Sequence, residues 1–518
     1  MRIVHRFVAV ALAACVAVLG GCSGGSSPAQ TLTVMAGSEV KDLEPLFADL
    51  EKSTGVHLDV TYSGTLAGID KIENTTSASD APDVAWFSQA KYLDLTDTKH
   101  VVKTSSKTML SPVVLGVKES KARELGWIGK PVTWSQIEAA AGAGKLRYAM
   151  TNPTTSNSGF SAVVAVATAL TGSGDAVRAD QINGAKLTQF FAGQKLAAGS
   201  SGWLADAYVK SQDDLDGMIN YESVLLGLNA GGTLHEKLYL VYPTDGVVTA
   251  DYPFMLLNDQ KRAAYDKVVA YLRSPDAQRR IMETTYRRPI DPSIALLPVF
   301  PKNVLVETQF PNSRAAVDTI LLAYLNKHRI PAHAYFVLDT SGSMNGERLQ
   351  SVQKALHILA GDDDSLTGKF ARFDDREEVT FITFNSRVTD QRTWTMHGVN
   401  DPATFGEIGR YADGLTAGGN TAIYDALDVA LDEAQKEPAG RYPSIVLMTD
   451  GENNSGEDAR DFLSKYQSRA VKVRIFPVFI GEADPKELGT IADASGGRAF
   501  DARSLSLPEI FKDIRGYQ

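Results

Sequence analysis

A short polar loop in the last third of the chain holds the residues best suited to chemistry. Residues 334–338 (AYFVL) form an all-apolar run, as expected of a strand buried on both faces, and DTSGSM (339–344) follows directly. Asp339 supplies a carboxylate, and Ser341 and Ser343 supply neutral hydroxyl groups. Such hard oxygen donors suit Mg²⁺, which prefers octahedral oxygen coordination and keeps several water ligands. Taken alone the pattern is weak, because ordinary polar turns also contain it.

Two further segments supply oxygen donors that belong with this loop. GGNTA (418–422) precedes an amphipathic helix and places the Thr421 hydroxyl in a loop. A second buried strand at 444–448 (SIVLM) leads into TDG (449–451), which contributes the Asp450 carboxylate. In a doubly wound sheet, ligands bind at the carboxyl ends of the strands, so the three loops are expected at one edge of one sheet.

In order, context and residue type, these loops resemble the metal-ion-dependent adhesion site of von Willebrand factor type A (VWA) domains. The resemblance covers about 331–518 and continues in a strand at 471–480, a helix at 488–494 and a C-terminal helix at 507–514. It implies a doubly wound, Rossmann-like α/β fold that binds Mg²⁺ or Mn²⁺.

The resemblance also implies how such a site works. Ser341, Ser343 and, in a high-affinity state, Thr421 bind the metal directly, whereas Asp339 and Asp450 act largely through bound water. Because few charged donors touch it, the metal stays electrophilic, and a Glu or Asp of a protein partner fills its last coordination position. In some members of the family the C-terminal helix moves with this rearrangement.

The N-terminal part alternates short apolar runs with helical patterns. Residues 31–36, 56–62 and 83–87 are predicted strands and 40–53 is a predicted helix, which indicates a parallel sheet with crossover helices. Three features carry a resemblance to the type 2 solute-binding proteins of ABC transporters, a class that includes the molybdate and sulfate binders: TLTVMAGS (31–38), YSGT (62–65), and DVAWF (83–87) with AKYL (90–93) following.

This second resemblance implies a two-lobed α/β domain over 31–310. The chain is expected to cross between the lobes near 105–117, which includes SPVVLGV, and to return near 238–246 (LYLVYPTDG). A helical segment at 311–330 then connects this domain to the VWA domain at 331–518.

Two-lobed domains of this kind close on a ligand about a hinge. The candidate cleft residues are Ser38, Ser63, Gly64 and Thr65 in the first lobe and Ser156, Asn157, Ser158 and Tyr221 in the second. Hydroxyl and N–H groups at helix starts suit a small anionic solute. The same residue types are also the usual helix N-caps, so either role accounts for them.

The first residues predict export and a lipid anchor. Arg2, His5 and Arg6 precede an apolar run at 7–19, which is typical of a secretory signal and shorter than the ~20 residues of a transmembrane helix. LGGC (19–22) resembles the bacterial lipobox, in which the cysteine, here Cys22, is lipidated. We therefore expect a signal peptide at 1–21, a flexible tether at 22–30 (CSGGSSPAQ) and a protein held on the extracytoplasmic face of the cell membrane.

Composition excludes several functions. The net charge of −10 and the pI of about 5.4 disfavour nucleic-acid binding. The cysteines are Cys15 and Cys22 alone, and the eight histidines form no HExxH motif, so no zinc site is expected. With no P-loop motif and no Cys–His pair, no enzyme activity is predicted.

Two functions remain open. The first is an anchored protein that binds a protein partner through the metal. The second is a transport receptor that delivers a small solute to a permease, with the VWA domain as an accessory docking module.

Overall fold

The computed structural model describes residues 30–75, 81–97, 99–301, 305–363, 368, 372–398, 401–438, 440–481, 485–505 and 507–517. The predicted signal peptide, Cys22 and the tether up to residue 29 lie outside the described residues. The remainder forms mixed α/β sheets flanked by helices, which confirms the predicted fold class of a two-lobed N-terminal domain and a doubly wound C-terminal domain. Among the described residues, no helix combines the length and apolarity needed to span a bilayer.

The strands of the N-terminal domain fall into two sheets. In chain order they are β1 (Gln30–Gly37), β2 (Val56–Ser63), β3 (Val84–Trp86), β4 (Thr104–Lys107), β5 (Ser111–Lys118), β6 (Tyr148–Met150), β7 (Gln194–Leu196), β8 (Gly217–Tyr221), β9 (Leu238–Val241), β10 (Thr249–Ala250) and β11 (Pro253–Leu256). The first lobe has the order β2-β1-β3-β11-β4, and the second has β10-β5-β8-β6-β7 with β9 also paired to β5.

Helices cover both sheets. They are α1 (Glu44–Thr54), α2 (Thr65–Asn74), α3 (Lys91–Thr96), α4 (Glu119–Glu124), α5 (Trp134–Gly142), α6 (Asn157–Ala169), α7 (Gly184–Ala192), α8 (Ser201–Ser211), α9 (Glu222–Gly231), α10 (Arg262–Leu272) and α11 (Pro275–Thr285). Shorter 3₁₀ turns lie at Ser38–Leu43, Ala179–Gln181, Gln212–Asp214 and Asp259–Lys261.

The helix predicted at 40–53 is divided into the 3₁₀ turn at Ser38–Leu43 and α1. Pro45 lies in the first turn of α1, where its fixed φ and missing N–H are tolerated.

The return crossing differs from the sequence expectation. The first crossing joins β4 to β5, within the predicted 105–117. At 238–246, however, β9 pairs with β5 and keeps the chain in the second lobe. The chain returns between β10 and β11, at Asp251 and Tyr252, because β11 inserts antiparallel between β3 and β4.

The C-terminal domain has one sheet with helices on both faces. Its strands are β12 (Ala332–Asp339), β13 (Glu378–Phe384), β14 (Val388–Thr395), β15 (Tyr442–Thr449), β16 (Arg474–Phe479) and β17 (Phe500–Asp501), in the order β14-β13-β12-β15-β16-β17. Only β14 runs antiparallel to its neighbour. Every residue of β12 is buried, as its apolar sequence predicts.

The connector and the helices of this domain complete the chain. The helices are α12 (Arg314–Ala323), α13 (Glu347–His357), α14 (Pro402–Asp413), α15 (Ile423–Ala434), α16 (Ala459–Ser468), α17 (Pro485–Ser495) and α18 (Leu507–Arg515). A 3₁₀ turn lies at Gly342–Met344, and π-helical turns extend α12 (Tyr324–His328) and α13 (Ile358–Asp362). In the predicted connector, α12 packs against α3 and α6 of the N-terminal domain.

A buried group of four charges fixes the connector and the last helix to the C-terminal domain. Arg329, which follows α12, and Arg515, which ends α18, both form ion pairs with Asp374 and Glu377 just before β13. Burial raises the pKa of Asp374 to about 6. Burial opposes ionisation of Glu377 as well, but the guanidinium groups of Arg515 and Arg329 hold its pKa below the ordinary value.

The second lobe packs directly on the C-terminal domain. One apolar cluster contains Leu196 and Leu204 from the lobe together with Phe511 from α18. The Arg498 guanidinium lies 3.9 Å from the ring centre of Trp203. At the end of the chain, Asn152 donates to the carbonyl of Arg515 over 3.3 Å.

The four-charge group gives a prediction about stability. Replacing Arg515 by Met leaves two buried carboxylates with a single guanidinium, which should lower the free energy of unfolding by about 3–5 kcal/mol. Lys210→Met, which removes an exposed ion pair with Asp493, should cost less than about 1 kcal/mol. Denaturant unfolding followed by circular dichroism measures both, and equal effects would contradict the buried group's role.

Candidate metal centre and inter-lobe cleft

Strand geometry brings the predicted metal residues to one edge of the C-terminal sheet. β12 and β15 are parallel neighbours, with Leu338 paired to Met448. Asp339 ends β12 and Asp450 follows β15, so both carboxylates leave the sheet at the same level.

Backbone hydrogen bonds fix the loops to one another. The N–H of Thr340 donates to the carbonyl of Phe384 at the end of β13, over 2.8 Å. The loop before α15 joins through Gly418, whose N–H donates to Thr340 over 2.8 Å, and through the carbonyl of Gly419, which accepts from Gly342 over 3.0 Å. These bonds hold the DTSGSM loop to the end of β13 and to the loop before α15.

Four of the five predicted side chains lie in one hydrogen-bonded group. Asp339 accepts from the N–H of Ser341 over 2.8 Å and from the Thr449 hydroxyl over 2.6 Å. The hydroxyl oxygens of Ser341 and Ser343 are 3.1 Å apart, and Ser343 donates to Asp450 over 2.7 Å.

Thr421, the fifth residue, is buried and is held through its backbone. Its N–H donates to the side-chain oxygen of Asn454 over 2.9 Å. The neighbouring Asn453 accepts from the N–H of Ile423 over 2.8 Å. The segment after β15 therefore caps the start of α15 and sets the position of Thr421.

Sequence reasoning missed Arg348 in the first turns of α13. Its guanidinium donates to Asp450 over 2.5 Å and more weakly to the carbonyl of Ser343 over 3.4 Å. This contact neutralises the carboxylate that lies nearest the two serines. The only signal for it in the sequence is a basic residue shortly after the DTSGSM loop.

The donor set fits a hard divalent cation. Two serine hydroxyls and two carboxylates converge within hydrogen-bonding distance, and oxygen donors of this kind suit Mg²⁺ and Mn²⁺. Burial raises the pKa of Asp339, while hydrogen bonds from Thr449 and Ser341 act in the opposite direction. A cation bound here would compete with Arg348 for Asp450.

A groove of about 530 Å³ adjoins this edge. Its lining includes Thr340, Asp390, Arg392, Glu407, Arg410 and Tyr411. The Arg392 guanidinium lies 5.3 Å from the ring centre of Tyr411 and is thereby oriented. The groove offers two guanidinium groups next to the metal residues.

In the N-terminal domain, the two lobes meet through the predicted cleft residues themselves. Thr65 contacts Ser88 in the first lobe, with 3.0 Å between their hydroxyl oxygens. Tyr221 from the second lobe donates to Ser88 over 2.7 Å and accepts from Asn157 over 3.1 Å. All four are buried. Ser88, which sequence reasoning missed, is the central member of this chain.

The N–H groups at the start of α2, which the sequence suggested for anion binding, already donate to a carbonyl of the protein. The N–H groups of Leu66 and Ala67, at the start of α2, donate to the carbonyl of Thr155 in the second lobe over 3.1 and 3.3 Å. Gly64 permits this approach, because a Cβ there would lie 2.5 Å from the same carbonyl oxygen. The expectation of an oxyanion site at this helix therefore needs correction: the opposite lobe's backbone occupies it.

The serines before and within α6 also contact protein. Ser158 lies 2.8 Å from the Ser201 hydroxyl, and Ser156 lies 3.4 Å from it. Ser156 makes no side-chain cap bond at the start of α6, so the capping role does not apply to it. Ser63 ends β2 opposite Gly37 and is half-buried.

One predicted cleft residue, Ser38, lines a cavity of about 1020 Å³ between the lobes. Its hydroxyl accepts from the N–H of Gly202 across the interface over 3.1 Å. The charged residues of the cavity lining are Glu39, Lys41, Asp42, Glu44, Asp206 and Arg498. Carboxylates thus outnumber cations in this lining.

Glu39 is the buried carboxyl of this cavity. Burial raises its pKa to about 7, although Arg287 lies nearby. Arg287 itself pairs with Asp42, and one oxygen of Glu39 is buried with no hydrogen-bond partner among the described residues. Above a pH of about 7, where Glu39 is ionised, the lining therefore carries an excess of negative charge that favours a cation over an anion.

Comparison with protein families confirms both domain resemblances. Residues 32–287 match the family model described as bacterial extracellular solute-binding protein, and residues 334–513 match that of the von Willebrand factor type A domain. The chain therefore carries an N-terminal bacterial solute-binding domain followed by a VWA domain.

Individual known proteins resemble only parts of the chain. The uncharacterized protein sll0103 of Synechocystis is 29% identical over 154 residues, 29% of this chain and 33% of that protein. Inter-alpha-trypsin inhibitor heavy chain H4 of Sus scrofa is 30% identical over 148 residues, 27% of this chain and 14% of that protein. The chain thus covers less than two-thirds of either relative. The solved periplasmic binding protein P5PA is 16% identical, with a TM-score of 0.44, over 58% of this chain and 100% of that chain.

Arg348 generates a prediction for metal affinity. Replacing it by Gln removes a positive charge beside Asp450, which is worth roughly 1–2 kcal/mol when the pair is screened as in bulk water, the limit suited to the partly exposed Arg348. The Kd for Mg²⁺ should fall about tenfold. Lys354→Gln, on an exposed face of the same helix, is the control and should leave the Kd unchanged. Weaker binding by the Arg348 variant in calorimetric titration would mean that Arg348 organises the site instead of competing for it.

Proposed function

We propose that this protein is a membrane-anchored, extracytoplasmic binding protein that holds a protein partner through a divalent metal. The metal would be Mg²⁺ or Mn²⁺, and its ligands and their supports would be Asp339, Ser341, Ser343, Thr421 and Asp450. The observation that carries this proposal is the convergence of the two serine hydroxyls with the Asp450 carboxylate at the end of β12. The proposed role is binding and not catalysis.

The partner would present a Glu or Asp side chain to the metal. The neighbouring groove has Arg392 and Arg410 in its lining together with Asp390 and Glu407, so its charges balance, and the choice of an acidic side chain depends on the metal's open coordination position. Such charges at the rim of an interface act mainly on the rate of association and on its dependence on salt.

The anchor is the part of the proposal that depends on sequence alone. Cys22 would carry the lipid after removal of residues 1–21, and the segment 23–30 would keep both domains off the membrane surface. The apolar run at 7–19 and the following GGC support it.

The metal role is tested by calorimetric titration of Mg²⁺ and Mn²⁺ into the form that starts at Thr31. We expect one metal site per chain in the parent. In Asp339→Ala the Kd should be roughly 10- to 100-fold higher, the range found when a residue that supports a metal ligand is removed. Asp461→Ala, an exposed aspartate in α16, should bind like the parent. A well-folded parent that binds neither metal would contradict the proposal. If the parent binds metal, the next experiment is to capture protein partners on it with and without a chelator.

A second candidate function is favoured by the cavity between the lobes. In this function the N-terminal domain is the receptor of an ABC-type transporter and the VWA domain is its docking module. The carboxylate-rich lining and the buried Glu39 favour a small organic cation, in place of the anion that the sequence indicated.

Thermal denaturation tests the second candidate. Small amines at a hundredfold excess over Kd should stabilise the protein by about 2.7 kcal/mol, whereas sulfate, phosphate and molybdate should not. Glu39→Gln should abolish the response and Glu119→Gln, an exposed control, should keep it. Since Glu39 binds a cation only when ionised, the response should strengthen as the pH rises through about 7. Stabilisation by the anions would reverse the charge assignment.

A further inference from the structure

A second group of ligand-type side chains lies at the opposite end of β12 from Asp339. His333 is the second residue of that strand, Glu378 begins β13, and Glu437 follows α15. One ligand atom from each of the three lies within 4.8 Å of the others. His333 is buried, and the two glutamates are half-buried.

One distance suits a shared cation as it stands, and the direct contact between His333 and Glu437 would have to open for the ion to enter. Nδ1 of His333 lies 3.4 Å from the nearer oxygen of Glu378, close to the roughly 3.4 Å expected between two tetrahedral ligands of a metal bound at 2.0–2.2 Å. The same nitrogen contacts Glu437, which also accepts from the Tyr335 hydroxyl over 2.5 Å. The second oxygen of Glu437 is buried with no hydrogen-bond partner among the described residues.

Neighbouring side chains hold the histidine in the orientation that a ligand needs. Its Nε2 lies 2.8 Å from the Thr380 hydroxyl, which in turn lies 2.7 Å from that of Thr393. The imidazole stacks on Tyr335 with 4.1 Å between ring centres. When Nε2–H donates to the Thr380 hydroxyl, the Nδ1 lone pair is left free for a metal.

The charge of the group is also favourable. Glu378 and Glu437 contribute two negative charges, and Arg441 neutralises one through a 2.9 Å ion pair with Glu378. Burial lowers the pKa of His333, and the adjacent Glu437 acts in the opposite direction. The group keeps one net negative charge in a sparsely hydrated place, which a cation would neutralise.

We infer that His333, Glu378 and Glu437 form a second metal site, selective for Zn²⁺ over Mg²⁺. An imidazole nitrogen with two carboxylates is a donor set for zinc, whereas Mg²⁺ takes oxygen donors. The site lies six residues from Asp339 along β12, or about 20 Å at the rise of a strand, and does not depend on the proposed function. A bound ion would cross-link β12, β13 and the end of α15 beside the connector.

The test uses the full-length chain carrying Asp339→Ala, so that the first metal centre is disabled. Zn²⁺ is titrated calorimetrically with Mg²⁺ present in excess, and thermal denaturation is recorded with Zn²⁺ and with chelator. We expect one Zn²⁺ per chain and a higher Tm with Zn²⁺. Adding Glu437→Gln or His333→Gln should raise the Kd for Zn²⁺ at least about 100-fold. Loss of a residue that only supports a ligand already lowers metal affinity by up to about that factor, and these residues would be ligands themselves.

Glu433→Gln is the matched control, because Glu433 lies on the same helix and pairs with Lys436 outside the group. It should bind Zn²⁺ like its parent. Glu378→Gln replaces either ligand variant that does not fold. The inference is overturned if the folded Asp339→Ala protein binds no Zn²⁺, or if binding survives in both ligand variants, which would place the ion elsewhere.

Discussion

The complete burial of β12 is the constraint on which the C-terminal domain depends. Its eight residues are enclosed by parallel neighbours on both edges and by helices on both faces. A polar side chain can therefore be accommodated only near its ends, where loops supply hydrogen-bond partners. Both ends of β12 carry polar side chains: one end has the oxygen donors around Asp339, and the other has His333 with Glu378 and Glu437 beside it.

The N-terminal domain satisfies its polar groups in a different way, through contacts between its lobes. A helix start, which in related folds suits an anion, instead receives the carbonyl of Thr155. The side-chain hydroxyl groups are likewise satisfied across the interface, where Ser88 of the first lobe accepts from Tyr221 of the second. These contacts use the donors at the start of α2 and along the Ser88 chain, and the cavity at Glu39, which shares only Ser38 with the residues that the sequence indicated, offers space for a ligand beside them.

The sequence predicted features that are local and could not predict those that depend on neighbours in space. Asp339, Ser341 and Ser343 lie in one loop after an apolar strand, so composition and order were sufficient to identify them. Arg348, Ser88 and the His333 group were missed, because their partners are distant in sequence and no periodicity relates them. The return crossing was placed too early for a similar reason. The sequence of β9 has the properties of any buried strand, and only its pairing with β5 keeps it in the second lobe.

The contacts at the end of the chain decide which parts move together. Gly516 approaches Gly199 so closely that a Cβ on Gly516 would lie 2.6 Å from the other Cα, and α18 shares an apolar core with the second lobe. If the cleft opens about the crossings near 108–110 and 251–252, these contacts would carry the second lobe and the C-terminal domain together relative to the first lobe. Opening or closing the cleft would then change the direction in which the DTSGSM edge faces, relative to the point where the chain begins.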